Sequence, residues 1–155
     1  KATIVLLDGK NNMTAISPTL LQSKDGESVW FSTQTKYFGR FTVVLDTVAP
    51  SIKPYTIYNN KNMSRAKTIS VIISDNLTGI KSYRAAIDGK WILMEYEPKK
   101  QLLFYEFSSF ASTLKGENIQ SHFRDLEQTA SHTFELTVTD GKNNIRTYKA
   151  EFVVR

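Results

Sequence analysis

The stretch from Ile73 to Phe107, ISDNLTGIKSYRAAIDGKWILMEYEPKKQLLFYEF, decides the fold. Three apolar segments lie in it, Ile80 to Ile87, Trp91 to Tyr96 and Leu102 to Phe107, each about as long as an ordinary strand. Turn formers separate them: Asp88-Gly89 suits a tight hairpin, and Pro98-Lys99-Lys100 closes the next pair. Working outward, Thr68 to Ser74 alternates with period two, placing Ile69, Val71 and Ile73 on one face. On the other side, Phe134, Leu136 and Val138 alternate with Thr133, Glu135, Thr137 and Thr139. Strands at Ile52 to Ile57 and Ile145 to Val154 bring the total to seven in about 105 residues, the spacing of an immunoglobulin-like sandwich. The expected class is all-β.

The first 46 residues read as a separate, smaller β unit, with strands at Ala2 to Leu7, Ser28 to Ser32 and Phe38 to Leu45. Three or four strands make a thin core, so this unit is expected to be the tail of an upstream β domain. The boundary falls at Asp46-Thr47-Val48-Ala49-Pro50, where proline restricts the backbone, leaving residues 47–155 as the sandwich. Within the sandwich, Ser108 to Ser131 departs from strand patterning. Ile119, Phe123 and Leu126 recur at helical spacing, with Asn118 placed to cap, so a packed-down loop or a short helix is expected near 108–131.

Composition excludes several classes. Hydrophobic residues at 41% and charged residues at 23% are those of a globular chain, and no apolar run approaches the roughly 20 residues that span a bilayer as a helix. With no cysteine, disulfides and thiolate zinc sites are out. The net charge of +5 is spread along the chain instead of forming a block, a weak bias toward acidic surfaces.

Candidate chemistry is sparse. The histidines, His122 and His132, lack the close pair that zinc enzymes use, and no Gly-x-Ser-x-Gly elbow or glycine-rich phosphate loop occurs. His132 continues the Phe134 face and is expected at a strand edge or partly buried. Glu95 with Glu97, or Glu106 with Glu135, are carboxylates that sheet pairing could bring together, though solvated strand faces account for them. Asp8-Gly9-Lys10-Asn11-Asn12 recurs as Asp140-Gly141-Lys142-Asn143-Asn144. Turn chemistry explains both copies; a calcium loop would need further acidic ligands, and none adjoins them in sequence. No catalytic residue, metal ligand or cofactor is therefore assigned.

Aromatic residues remain. Trp91 in a sandwich strand is expected in the core; if alternation turns it outward, then Trp91, Tyr96 and Tyr105 form a possible ligand or partner surface suited to sugar stacking. Tyr55, Tyr58, Lys61, Arg65 and Lys67 interleave aromatic and basic residues, but without a recognised RNA-binding motif no nucleic-acid partner is expected.

Three stretches carry a family resemblance: Asp46 to Pro50 with Ile52-Lys53-Pro54, Ile73 to Arg84, and Ile87 to Tyr96. Together they resemble the C-terminal Ig-like region of large Bacteroidetes cell-envelope proteins, where that region follows a lysostaphin-like zinc endopeptidase domain. The likeness spans roughly residues 38–155. It implies a noncatalytic accessory module, located in the periplasm, at the outer membrane or outside the cell, that positions or tethers a peptidoglycan endopeptidase. The implied partners are an upstream domain of the same polypeptide and peptidoglycan or another glycan. The family's His-x-x-x-Asp and His-x-His zinc motifs are absent here, so no catalytic residue carries over. A carbohydrate-binding module, and an adhesin or structural spacer, are the alternatives.

Overall fold

In the computed structural model, which describes residues 1–16, 19–22, 29–63, 66, 68–106 and 131–153, the chain is all-β. The N-terminal unit comprises β1 (Ala2–Leu7), β2 (Met13–Ile16), β3 (Thr19–Gln22), β4 (Val29–Ser32) and β5 (Arg40–Leu45). β2, β1 and β5 form one antiparallel sheet in that order, and β3 pairs with β4 as a separate ribbon.

The sandwich follows as β6 (Ser51–Pro54), β7 (Lys61–Asn62), β8 (Thr68–Ser74), β9 (Ile80–Ile87), β10 (Lys90–Ile92), β11 (Glu95–Glu97), β12 (Leu102–Glu106), β13 (His132–Asp140) and β14 (Ile145–Val153). One sheet runs β10-β9-β13-β14-β7 and the other β11-β12-β8-β6. β7 joins β14 in parallel, while the other pairings are antiparallel. This order is that of an immunoglobulin-like sandwich, as the strand spacing predicts. The inward faces meet in one core, in which Ile69, Val71 and Ile73 of β8 join Phe134, Leu136 and Val138 of β13. Burying alternate residues of both sheets is the main stabilising contribution, at about 25 cal/mol per Å² of apolar surface.

Two expectations need correction. Trp91 to Tyr96 is not one strand: β10 pairs with β9, whereas β11 pairs with β12 in the opposite sheet. Ile92 and Met94 are both buried on either side of exposed Leu93, so alternation continues through the corner and conceals the change of sheet. That step and the short β7 raise the expected seven strands to nine among the described residues. In addition, Trp91 is not a core residue. It is 57% exposed because Ile92 takes the inward position of β10. The helix or loop expected near 108–131 lies almost entirely outside the described residues.

The Asp88-Gly89 hairpin forms as expected, with both residues at positive φ (50° and 76°), as a type I′ turn requires. Asp88 also reaches beyond its turn. Its Oδ2 lies 2.8 Å from Nδ1 of His132, and its Oδ1 accepts the Thr133 N–H at 2.8 Å. His132, the first residue of β13, is fully buried, with its ring 5.4 Å from that of Phe152. The Asp88→Asn substitution keeps the shape but removes the charge from this bond. It should lower unfolding free energy by about 1 kcal/mol, read from the urea midpoint at constant m-value.

Candidate functional site

Three strands run into an aspartate that continues their inward-facing phase by one step. Ile69, Val71 and Ile73 lead to Asp75, Phe134, Leu136 and Val138 lead to Asp140, and Val44 leads to Asp46. A register shift in the β13–β9 pairing falls between Thr139 and Asp140, the kind of local bend that re-aims a side chain at the end of a ladder. The three aspartates converge where the N-terminal unit meets the sandwich. Each offers a carboxylate oxygen within 4.8 Å of the others, with Asp46 and Asp140 buried and Asp75 half-buried. When all three are ionised, each pair repels by on the order of 3 kcal/mol at an effective dielectric constant of about 20.

Local hydrogen bonds hold the carboxylates in place. Asp75 Oδ2 accepts the main-chain N–H groups of Leu77, Thr78 and Gly79 at 3.0, 2.8 and 2.9 Å. Asp140 Oδ1 accepts those of Lys142 and Asn144, both at 2.8 Å, and its Oδ2 accepts the Asn144 side-chain amide at 2.6 Å. Asp46 Oδ2 accepts the Thr78 hydroxyl at 2.5 Å. Two buried oxygens, Asp46 Oδ1 and Asp75 Oδ1, have no hydrogen-bond donor among the described residues. Among the described residues, no Lys, Arg or His forms an ion pair with any of the three.

The same spot joins the two units. Asn144 donates its amide to the main-chain oxygen of Asp46 at 3.1 Å and accepts the Lys1 ammonium through Oδ1, while the Asp46 N–H binds the Lys1 carbonyl at 3.0 Å. A cleft of about 350 Å³ runs alongside, between Thr3 and Met13 on one side and Thr78 and Gly141 on the other.

The repeated pentapeptide folds alike in both places. Asp8 binds the Lys10 and Asn12 N–H groups and the Asn12 amide just as Asp140 binds its own loop, and Asn11 and Asn143 share φ near 60°. The turn reading of the motif therefore holds. What differs is the surroundings: Asp8 is exposed, with its carboxyl held below the ordinary carboxylate range chiefly by the Asn12 amide, whereas Asp140 is buried in the junction. Sequence reasoning missed the acidic cluster because its members lie far apart in the chain. The available signal was that each aspartate sits in the buried phase of its strand.

The aromatic candidates do not form one platform. Trp91 is exposed on β10, at the edge of the five-stranded sheet. Tyr96 and Tyr105 belong to the four-stranded sheet and lean against the core, Tyr96 6.0 Å from the ring of Tyr83. Burial pushes the Tyr105 hydroxyl above the ordinary phenol range. Glu106 and Glu135 lie in different sheets, and Glu135 pairs with Lys149 at 2.9 Å. Of the basic and aromatic series, Lys61 sits over the Tyr58 ring at 4.9 Å, and Arg65 and Lys67 lie outside the described residues.

No family model matches this chain, and no curated protein sequence matches it. Among solved structures it is similar to a mutant of the SrpA adhesin from Streptococcus sanguinis, at 14% identity and a TM-score of 0.42 over 72% of this chain and 61% of that one. The chain thus spans less than two thirds of that structure's length. It is also similar to CopC from Methylosinus trichosporium OB3b, at 14% identity and a TM-score of 0.35 over 69% of this chain and 89% of that one.

Proposed function

We propose that this chain is a noncatalytic accessory module of a cell-envelope protein, in the setting of a lysostaphin-like zinc peptidoglycan endopeptidase, where it positions or tethers the catalytic domain. The observation that supports this reading is the bonded junction. Asn144, bonded to the Asp46 carbonyl and the Lys1 ammonium, and Thr78, bonded to the Asp46 carboxylate, link a small β unit to an Ig-like sandwich, the construction of a spacer that must hold an orientation. A row of exposed apolar side chains on β5, Phe41, Val43 and Leu45, supports the further reading that residues 1–46 belong to a larger β assembly. Incubating the chain with peptidoglycan, with and without zinc, should release no soluble fragments. Zinc-dependent release by this chain alone would overturn the proposal.

Exposure of Trp91 favours a second reading, glycan binding by stacking on an open indole face. Trp30 is also exposed, so the titration belongs in a Trp30→Phe background. Glycan fragments of the wall should then shift the fluorescence of Trp91, and the shift should vanish in Trp91→Ala. Emission unchanged by every glycan tested would remove this reading.

A further inference from the structure

We infer that Asp46, Asp75 and Asp140 form a calcium site that braces the N-terminal unit against the sandwich. Three carboxylates meeting within 4.8 Å at a largely buried point need a counter-charge, and no described basic side chain forms an ion pair with any of them, the Lys1 ammonium being bonded to Asn144 Oδ1 instead. The independent sign of a missing ligand is Asp46 Oδ1. Asp46 is only 2% exposed, yet this oxygen has no donor among the described residues, and Asp75 Oδ1 is left in the same condition. Buried carboxylate oxygens are normally satisfied, so two orphans on carboxylates that converge mark the place of an acceptor-seeking cation.

The donor set selects the ion. It is all oxygen, which suits a hard cation and not zinc or copper. Oxygens on opposite sides of a calcium ion stand up to about 5 Å apart, and on opposite sides of a magnesium ion only about 4 Å. Carboxylates meeting within 4.8 Å fit inside the larger span. The ligands come from the end of β5, the loop after β8 and the end of β13, so one ion joins both sheets of the sandwich to the preceding unit. The pentapeptide at Asp140 contributes by presenting its aspartate in a fixed orientation, whereas its twin at Asp8 lies outside the cluster.

The test uses the full chain, stripped with EDTA and titrated calorimetrically with calcium chloride and, separately, magnesium chloride. One calcium should bind with a dissociation constant in the micromolar to millimolar range, raise the melting temperature and slow proteolysis in the 46–50 junction. Asp75→Asn keeps an acceptor for its loop N–H groups and should bind calcium at least about 10-fold more weakly while retaining the melting temperature of the stripped protein. Absence of calcium binding up to about 10 mM overturns the site, a wild-type result that does not depend on any variant folding. Equal affinity in Asp75→Asn overturns the ligand assignment. Magnesium binding as tight as calcium overturns the choice of ion, and calcium binding that leaves junction cleavage unchanged overturns the brace.

Discussion

Phe134→Ala should lower the unfolding free energy by about 3–5 kcal/mol, the cost of a large cavity in a packed core. Phe134 is fully buried on β13, between Ile87 of β9 and Ala150 of β14, and faces the β8 row across the sandwich. No neighbour can collapse into the space without distorting a central ladder, so the loss lies well above the transfer free energy alone. Against a typical domain stability of about 5–15 kcal/mol, the variant would be close to unfolding at physiological temperature. Trp91→Ala removes an aromatic side chain too, yet from an exposed edge position, and should change stability by no more than about 0.5 kcal/mol. Urea unfolding of both variants separates the two environments. Comparable losses would mean that Trp91 packs as a core residue after all.

Gly141→Ala should cost about 2–3 kcal/mol, although the same change at Gly9, its counterpart in the repeated pentapeptide, should stay within about 0.5 kcal/mol. A Cβ at Gly141 would stand 2.8 Å from the Thr78 carbonyl oxygen and 3.0 Å from the Thr78 Cβ, whereas nothing lies within 4 Å of one at Gly9. The obstacle is backbone, and it is tied down: Gly141 N–H binds the Gly79 carbonyl at 3.1 Å, and Asp75 holds the N–H groups of Thr78 and Gly79. Any relief has to move the 77–79 loop, whose N–H groups bind Asp75 and whose Thr78 hydroxyl is bonded to Asp46. Gly141→Ala should therefore also weaken calcium binding, and Gly9→Ala should leave it unchanged. Thermal melts with and without calcium chloride read both effects in one experiment; equal behaviour of the two glycine variants would show that the junction is looser than its geometry.

Much of the sandwich was legible in the chain because its signals are local. Period-two alternation at residues 68–74 and 132–139 reports which face is buried, and Asp88-Gly89 reports a turn through the backbone conformations that those two residues tolerate. The corner at Leu93-Met94 was not legible, since alternation looks the same whether a strand continues or crosses to the opposite sheet. Trp91 was misplaced for a related reason: residue type favours the core, while position in β10 decides otherwise.

By itself, then, the sequence determined the all-β class, most strand positions and the turn chemistry of both pentapeptides, because backbone preference and hydrophobic phase act over a few residues. Tertiary structure alone decided that Asp140 belongs with Asp46 and Asp75 while Asp8 does not. Electrostatic repulsion and burial depend on distances through space, and pairing β13 with β9, together with the Asn144 bonds to the first unit, closes 29 residues of separation from Asp46 to Asp75 and 65 from Asp75 to Asp140 into a few ångströms.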